Sequence, residues 1–420
     1  MKRIIVWFRN DLRLSDNEAL HQACLDADEI IPYYCFEESA IHNDSWPFPK
    51  TGAFRAQFIL ESVAALQAQL REEGLELQIY HGSSLKGLLK IKEEYQARDV
   101  YCAEEVSQEE LDREKEMEEN GFKLKRFWQN SLYAKTDLPF EIHQLPEVFT
   151  AFRKKMEKYA QVPKALPKPA LLKGPEKLMA GELPSLNTLG LATPSFDSRS
   201  AFPFKGGGQA ARTRMQSYFW EETRILEYKN TRNGLIGDSY SSKFSPWLAL
   251  GCISAREIYW ELKKFEEEVK SNSSTYWMYF ELLWRDFFRF TALKEGRSFF
   301  RMKEVQAMKT LPHFEAWRIG ETGQAFVDAN MKELLQTGFM SNRGRQNVAS
   351  YLIHDLKIPW HLGAAWFESQ LIDYDVCSNY GNWTYLAGLG NDPRPNRYFN
   401  VQGQAERYDT DGAYQRLWLT

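Results

Sequence analysis

The run Ile4-Ile5-Val6-Trp7-Phe8 decides the fold of the first part of the chain, because it is short, apolar and bounded by polar residues, as a buried strand is. A second run of this kind follows at Ile30-Ile31-Pro32-Tyr33-Tyr34-Cys35-Phe36. Between Thr51 and Arg71, apolar residues recur every three or four positions, which predicts an amphipathic helix. Three later strands are predicted by the alternation Leu75, Leu77, Ile79, near Val100-Tyr101, and from Leu124 to Phe127. Strands that alternate with helices predict right-handed βαβ units, and therefore an α/β domain with a Rossmann-like, parallel, five-stranded sheet.

The remainder of the chain changes character twice. From about Ala160 to Phe204 it holds seven of the 17 prolines and no sustained periodicity, which is typical of a linker that wraps the surface or is partly mobile. After Gly206-Gly207-Gly208, which we interpret as a flexible entry to a helix, the pattern is helical almost to the end and includes ten of the 13 tryptophans. We therefore expect an α/β domain at residues 1–135, a linker at 136–205 and a larger all-α domain at 206–420.

Composition limits the functional classes. The chain has 420 residues, 26% of them charged and 14% aromatic, and a net charge of −4, which neither supports nor excludes DNA as a partner. The five cysteines are dispersed and the seven histidines lack metal-ligand spacing, so we predict no metal site. No signal peptide or membrane span is recognisable, and we expect a cytoplasmic protein without a membrane partner.

Four segments of the helical region combine polar side chains with aromatic surroundings, which is typical of a ligand cavity. They are YSSKFSPW at 240–247, FELLWRDFFR at 280–289, GFMSNRGRQN at 338–347 and DYDVCSNYGNW at 373–383. The hydroxyls of the first segment could hold an anion at a helix start, or Ser245 could simply cap a helix with Pro246 at its first position.

The other three segments also have alternative interpretations. Glu281 and Arg285 could line a cavity, or form an ordinary ion pair within a solvated helix. The third segment could be a plain surface helix. In the fourth, Asp373 and Asp375 are too few ligands for a metal but are well placed to pair with Arg285 and Arg345. A basic cluster before the linker, Arg153 to Lys158, is interpreted as a solvated helix face.

The motifs taken together resemble the photolyase and cryptochrome family over nearly the whole chain except the linker. They are WFRNDLRLSDNEAL, KTGAFRAQF, YSSKFSPWLALGCIS, ELLWRDFFRF, ETGQAFVDANMKELLQTGFMSNRGRQNVAS and DYDVCSNYGNW. The resemblance implies that FAD binds inside the helical domain, and that the four segments form its wall.

The resemblance also assigns roles to individual residues. Residues matching the family's FAD-binding positions are Tyr228, Ser241, Ser242, Lys243, Phe244, Ser245, Arg285, Asn342, Arg345, Asp373, Asp375 and Asn379. Of these, Tyr228 and the stretch from Ser241 to Ser245 match the part that holds phosphates and ribose, and Arg345 and Asp373 match an ion pair. Asn379 matches the residue that faces flavin N5, where a neutral amide suits a reduced flavin.

The activity implied is photochemical repair, in which excited, reduced FAD donates an electron to a cyclobutane pyrimidine dimer that is flipped into the cavity. Glu281 and Trp284 match the residues that contact the dimer. Gln346 and Tyr385 stand where ordinary dimer photolyases have a methionine and a tryptophan. In both departures the chain most resembles the DASH cryptochromes, which favour dimers in single-stranded DNA. Six-four photolyase activity is not expected, because Ser341 and Gln346 occupy positions where that group has histidines.

Flavin reduction in this family runs through a tryptophan chain. Trp383 and Trp360 match its first two members. No tryptophan is found around Ala307-Met308, where the third is expected, so Trp317 or Tyr385 could replace it, and we expect slower or rerouted photoreduction.

The resemblance further implies a second pigment. In DASH proteins 5,10-methenyltetrahydrofolate lies between the domains as an antenna, and Glu105 matches its glutamate ligand, with Lys50, Phe54 and Arg55 in a nearby matching segment. We expect a monomer. A light sensor that binds DNA without repairing it is the alternative, which the short end at Trp418-Leu419-Thr420 disfavours. An electron-transfer flavoprotein would need a nicotinamide site, and none is recognised.

Overall fold

A computed structural model describes residues 1–42, 46–300, 312–391 and 397–420. Its first part alternates strands and helices, and its second part is helical. The strands are β1 Arg3–Phe8, β2 Glu29–Glu37, β3 Gln78–Gly82, β4 Asp99–Ala103 and β5 Lys123–Phe127. The helices between them are α1 Glu18–Asp26, α2 Glu38–Ile41, α3 Ala53–Glu72, α4 Ser84–Tyr95 and α5 Gln108–Glu119. No helix in the described ranges is both long and apolar enough to cross a membrane.

All five strands form one parallel sheet in the order β3-β2-β1-β4-β5. The first apolar run is its centre, since Trp7 is paired with Tyr33 on one side and with Cys102 on the other. The chain first adds strands on one side of β1 and then on the other, so the crevice beyond the carboxyl ends of β1 and β4 is a topological switch point. The predicted five-stranded α/β domain is confirmed.

The third strand begins later than its apolar alternation suggested. Leu75 and Leu77 are buried but precede β3. The amide of Leu75 closes the end of α3 by donating to Leu70 O at 2.9 Å, and Leu77 O accepts from Gly181 N at 2.9 Å. These leucines lie in the irregular segment between the turn that ends α3 and the start of β3, where they are buried in the core.

The helical part starts after a long connection. The connection from 136 contains α6 Phe149–Tyr159, and residues 160–207 then hold neither helix nor strand. This segment is nevertheless fixed to the α/β part, since Lys173 O accepts from Ile30 N at 2.8 Å and Leu172 and Leu189 are buried. It therefore wraps the α/β domain.

The triple glycine that precedes the first helix of this part is needed for close approach. A Cβ on Gly206 would lie 2.6 Å from Ser62 N, and Gly207 has φ +98° and would meet Ala65 Cβ at 2.4 Å. Its role is therefore tight packing of the chain on α3, which corrects the interpretation of a flexible entry.

The rest of the described chain is built of helices. They are α7 Gly208–Gln216, α8 Tyr228–Thr231, α9 Ser245–Ala249, α10 Ala255–Glu268, α11 Ser273–Glu295, α12 Arg297–Phe300, α13 Pro312–Ile319, α14 Ala325–Thr337, α15 Asn342–Ser350, α16 Trp360–Gln370, α17 Val376–Leu386, α18 Val401–Tyr408 and α19 Ala413–Leu419. The 23-residue α11 among them packs against α8, α10, α12 and α17. Helix α11 also joins the two parts, because the buried Asp286 carboxylate accepts from Leu132 N and Tyr133 N, both at 2.9 Å. The predicted helical second domain is confirmed.

Candidate functional site

The helical part encloses a cavity of about 420 Å³ between α11, α15 and α17. Many of the residues proposed for cofactor or dimer binding line it together. They are Glu281, Trp284, Asn342, Arg345, Gln346, Asp373, Asp375, Asn379, Trp383 and Tyr385. Three of the four polar segments therefore meet at one cavity, which excludes the interpretation of the third as a plain surface helix.

One wall of the cavity is built around Asp373, whose side chain is 2% exposed. Its Oδ2 accepts from Arg345 Nη2 at 2.8 Å and from Ser245 Oγ at 2.7 Å, and Oδ1 is buried without a hydrogen-bond partner among the described residues. Ser245 is therefore connected to this wall through Asp373. It caps no helix, because α9 starts at Ser245 and has no side-chain cap. The free oxygen is an acceptor for a ligand hydroxyl or ring N–H.

A second ion pair lies beside the first. Arg285 Nη2 is 3.9 Å from Asp375 Oδ2, and it also donates to Leu248 O at 3.2 Å. Asp375 caps α17 by accepting from Ser378 N at 2.7 Å. Burial alone would raise the pKa of Asp375, but Arg285 and Ser378 hold it below its usual value. The carboxylates of the fourth segment thus pair with the two arginines as expected.

The mouth of the cavity carries Glu281. Its carboxylate pairs with Arg232, which excludes the ordinary ion pair with Arg285 within the helix. Burial raises the pKa of Glu281, and the Arg232 guanidinium and Trp277 N–H oppose that rise. Next to it, Trp284 stacks on Phe149 at 3.8 Å. The mouth therefore offers a carboxylate and an indole whose orientations are set by their neighbours.

Asn379 faces the cavity from α17 with its amide held in place. Its Nδ2 donates to Ala364 O at 3.1 Å, and its side-chain oxygen accepts no hydrogen bond among the described residues. This oxygen can accept a hydrogen bond from a protonated ring nitrogen and disfavours an unprotonated one.

The segment assigned to phosphates and ribose lies behind this wall, outside the cavity lining. Arg214 holds its backbone, donating to Ser242 O at 3.1 Å and to Ser241 O at 3.2 Å. Lys243 has φ +62°, and its ammonium lies 3.1 Å from the centre of the Tyr240 ring, buried and without a hydrogen-bond partner among the described residues. Burial lowers the pKa of this lysine.

Two other members of the same set are also buried. Phe244 is 2% exposed and packs on Phe219 at 5.8 Å. Tyr228 is 8% exposed and lies near Glu281. From this segment, Ser245 is the residue that reaches the described cavity wall, through Asp373.

The proposed electron-transfer residues have different neighbours around α17. Trp383 is 2% exposed, and Trp317 lies beside it with ring centres 6.5 Å apart. Tyr385 points to the mouth of the cavity, 6.0 Å from Trp284. Trp360 packs on Tyr380 at 6.0 Å. Ala307 and Met308, near which no third tryptophan is found, lie outside the described residues.

A second cavity, of about 240 Å³, lies at the switch point between the sheet and the helical part. Glu105 follows β4 there and forms an ion pair of 3.1 Å with Arg289 from α11, and its Oε1 is buried without a partner in the described part of the chain. Burial, and then Glu105, raise the pKa of the adjacent Glu110 to about 7. Arg9, directly after β1, lines the cavity and pairs with Glu114 at 2.7 Å. Lys50 and Arg55 line this cavity, whereas Phe54 lines neither of these two cavities.

Several residues of both cavities were given no role by the sequence analysis. Arg232, Arg397, Arg9 and Glu110 all line one of them. Arg232 follows Tyr228 by four residues in a polar stretch, but its pairing with Glu281 depends on how α8 packs against α11. Groups of side chains that could hold a metal are absent from the described residues.

Comparison with known proteins identifies relatives over the full length. Residues 4–170 match the family model "DNA photolyase", and residues 277–420 match "FAD binding domain of DNA photolyase". The chain is 48% identical to the "Cryptochrome DASH" of Danio rerio, over 100% of this chain and 83% of that protein. Its fold matches the crystal structure of a Synechocystis sp. cryptochrome with a TM-score of 0.93 and 46% identity, over 100% and 89% of the two chains. It also matches an archaeal photolyase from Sulfolobus tokodaii, described with two FAD molecules, with a TM-score of 0.77 and 26% identity over 99% and 90%.

Proposed function

Because the chain belongs to the DASH cryptochromes of the DNA photolyase family, we propose that it is an FAD-dependent enzyme driven by blue light. Its substrate is the cyclobutane pyrimidine dimer, preferentially in single-stranded DNA. The observation that carries this proposal is that Glu281 and Trp284 stand at the mouth of a polar cavity whose wall includes Asp373 and Asn379.

The cavity fits the FAD that the family implies. Asp373 Oδ1 is a buried acceptor without a partner among the described residues, which suits a hydroxyl or a ring N–H of the cofactor. Arg285 and Arg345 supply positive charge beside it. When bound and reduced, FAD supplies the electron that splits the dimer under blue light.

The residues at the mouth bind and orient the dimer. Trp284 has one face on Phe149, so the indole is fixed as a platform for a flipped-out base. Glu281 accepts or donates a hydrogen bond to the dimer, with its orientation set by Arg232. Gln346 and Tyr385 line the same cavity as polar groups. Polar side chains at these two positions give less apolar contact to an extruded dimer, which supports a preference for single strands, where no base pair has to be opened.

The side-chain oxygen of Asn379 favours a protonated cofactor nitrogen. The hydrogen bond from Asn379 Nδ2 to Ala364 O sets the orientation of the amide, and its carbonyl oxygen is an acceptor. This residue therefore stabilises the reduced state of the cofactor that repair requires.

Trp383 is the first electron donor in the proposed route to the cavity. It lines the cavity and contacts Trp317, so Trp317 is better placed than Tyr385 to pass an electron to it. Trp317 is fully buried, and a further donor must therefore connect it to the surface. Trp360 stays in the proposed chain as the residue matched to the second donor.

The cavity at the switch point is the proposed site of a 5,10-methenyltetrahydrofolate antenna. The free oxygen of Glu105 is an acceptor for the amino and ring N–H groups of a pterin. Arg289 fixes this carboxylate from the helical part.

The proposed function is tested by measuring loss of thymine dimers under blue light, with reduced, FAD-loaded protein and matched single-stranded and duplex oligonucleotides. Repair of the single strand alone is the expected result. Repair of both would indicate an ordinary dimer photolyase. No repair of either, with reduced FAD bound, would favour a DNA-binding light sensor.

The variant Glu281→Gln tests whether the repair takes place at the mouth of this cavity. It should lower the repair yield per absorbed photon, because Glu281 is proposed to bind the dimer at the mouth. The FAD content should stay unchanged, because Arg285, Arg345 and Asp373, the residues proposed to bind FAD, remain. A dark sample of the unaltered protein controls for repair that does not need light.

A further inference from the structure

Trp317 needs a connection to the surface if it passes electrons to Trp383. It is fully buried, and its indole N–H donates to Val348 O at 3.0 Å. Besides Trp383, two rings lie against it among the described residues, Phe314 at 5.9 Å and nearly parallel, and Phe367 at 6.3 Å. An electron that reaches Trp317 from outside therefore enters from the side of α13 and α16.

The segment before α3 brings two aromatic residues to this side. Phe48 is buried, with its ring centre 6.5 Å from that of Phe314 and 4.9 Å from that of Trp366. Trp46 stacks on Phe48 with ring centres 6.1 Å apart and an angle of 6° between the two planes. A continuous cluster of rings thus runs from Trp317 out to Trp46.

Trp366 is the readily oxidised ring in the interior of this cluster. It is 3% exposed and precedes Phe367, the ring that lies against Trp317. Its indole N–H is buried without a hydrogen-bond partner in the described part of the chain. The Arg318 guanidinium, which pairs with Glu315, lies 4.7 Å from its ring centre. An oxidised Trp366 has no nearby group to take its proton and stands beside a cation, so it passes the electron deficiency on.

Trp46 differs from Trp366 in its access to water. It is half-buried and adjoins the exposed Pro47. The N–H of an oxidised indole is strongly acidic, and water can accept its proton. The neutral radical that remains regains an electron slowly, because a proton has to return with it. The separated charges therefore persist longest when the electron deficiency has reached Trp46.

We propose that Trp46 is the surface electron donor of this protein, with Trp366 as the relay between Trp46 and Trp317. This rests on the proposed function, in which light drives the reduction of bound FAD through Trp383. The phenyl rings of Phe48 and Phe314 are too hard to oxidise to carry the charge themselves, and they keep the indoles in one packed cluster.

Each event along this route moves one electron and one proton. The electron passes from Trp46 through Trp366 to the oxidised Trp317, which has given its own electron to Trp383. The two inner rings are thereby restored, and Trp46 releases its indole proton to water. A thiol in solution then gives Trp46 a hydrogen atom, which restores the indole, and two of the resulting sulfur radicals join as a disulfide.

The first test measures how many flavins are reduced per absorbed photon in FAD-loaded protein, with excess thiol and no DNA. Trp46→Phe keeps a ring that packs on Phe48 but is hard to oxidise. Trp46→Tyr provides an oxidisable ring with a proton to release. Trp220→Phe is the control, because Trp220 is also half-buried and its ring lies 5.3 Å from Phe265, outside the cluster.

We expect Trp46→Phe to lower this yield severalfold, Trp46→Tyr to restore most of it, and Trp220→Phe to equal the unaltered protein. An unchanged yield in Trp46→Phe would overturn the proposal. Equal losses in Trp46→Phe and Trp46→Tyr would overturn it as well, since the indole would then act through packing alone.

The second test locates the oxidised residue and does not depend on the amount of reduced flavin. FAD-loaded protein is illuminated in air without thiol, digested and mapped by mass spectrometry, because dioxygen adds to a tryptophan radical that persists. Trp46 should gain oxygen in the light, and should gain little in the dark or in Trp383→Phe. A Trp46 that stays unmodified, or that is oxidised equally in Trp383→Phe, would overturn the proposal.

Both tests are carried out without DNA. Absence of dimer repair would therefore refute the proposed enzymatic function, whereas the photoreduction yield and the site of oxidation decide the role of Trp46.

Discussion

Ser245 Oγ donates a hydrogen bond of 2.7 Å to Asp373 Oδ2, which joins the start of α9 to the segment before α17. Arg345 reaches the same oxygen at 2.8 Å. One carboxylate oxygen therefore fixes three parts of the cavity wall, while its other oxygen is left to the ligand. Retention of FAD should depend on Asp373 more than on either of its partners.

The change Asp373→Asn should weaken FAD binding by about 2 kcal/mol, or roughly thirtyfold, because it removes the charge that pairs with Arg345 in a buried site. The flavin-to-protein absorbance ratio after dialysis measures this. Ser245→Ala, which leaves the ion pair intact, should retain more FAD. Equal retention in both variants would contradict the central role of Asp373.

The change Trp383→Phe should abolish most photoreduction of bound FAD, because it removes the proposed first electron donor, which lines the cavity. Trp317→Phe should slow photoreduction as well, since Trp317 is its neighbour at 6.5 Å. The rate is measured by flavin absorbance under blue light with a thiol reductant. Trp260→Phe, in α10, is the matched control. Unchanged photoreduction in Trp383→Phe would refute the assignment.

The change Glu105→Gln should remove the antenna pigment and leave FAD in place. The substitution weakens the acceptor in the interdomain cavity and also the pair with Arg289. Pigment content is measured by chromatography after folate supplementation, with Glu119→Gln, exposed on α5 and outside the cavity lining, as the control. If the unaltered protein shows only flavin absorption, the antenna proposal is wrong.

The pH dependence of stability should include a contribution from Glu333, which is buried and accepts a hydrogen bond from Tyr414 OH at 2.6 Å. Burial raises its pKa from 4.5 to about 7. The folded state therefore binds a proton more tightly than the unfolded state, and this stabilisation is complete below the unfolded pKa and is lost as the pH rises through 7.

The change Glu333→Gln should accordingly reduce the fall in the free energy of unfolding between about pH 5 and about pH 8, by roughly 1–3 kcal/mol. Urea unfolding of the FAD-loaded protein measures it. Glu267→Gln, at an exposed position of α10, should keep the pH profile of the unaltered protein. If Glu333→Gln and the unaltered protein had the same pH profile of stability, the pKa of this carboxyl would not be raised in the folded state.

The elements that the sequence predicted well are those with a strong local pattern. The run from Ile4 to Phe8 is buried on both faces in the middle of the sheet, so almost every residue is apolar. Leu75 and Leu77 made the predicted strand start too early, because burial in the irregular segment before β3 produces the same alternation as burial in a strand. The local pattern of apolar residues indicates which side chains are buried, and it does not indicate which backbone groups form strand hydrogen bonds.

The candidate site was predictable where its residues occur in dense polar segments. Arg345 and Asp373 were expected to pair, and they do. Arg232 was missed because its partner, Glu281, lies far along the chain and is reached only when α8 packs beside α11. Ser245 was ambiguous for the same reason, since the partner that distinguishes a wall residue from a helix cap is remote in sequence.

Helix α11 supplies Arg285, which pairs with Asp375 on the wall of the larger cavity, and Arg289, which pairs with Glu105 in the crevice at the switch point. These arginines are one turn apart, a rise of about 6 Å along the axis. A pigment held at Glu105 and a flavin held at Arg285 would thus both be positioned by the same helix. The spacing and mutual orientation of the two chromophores, which govern how efficiently excitation energy passes between them, would be set once, when the chain folds, and would vary little with solution conditions.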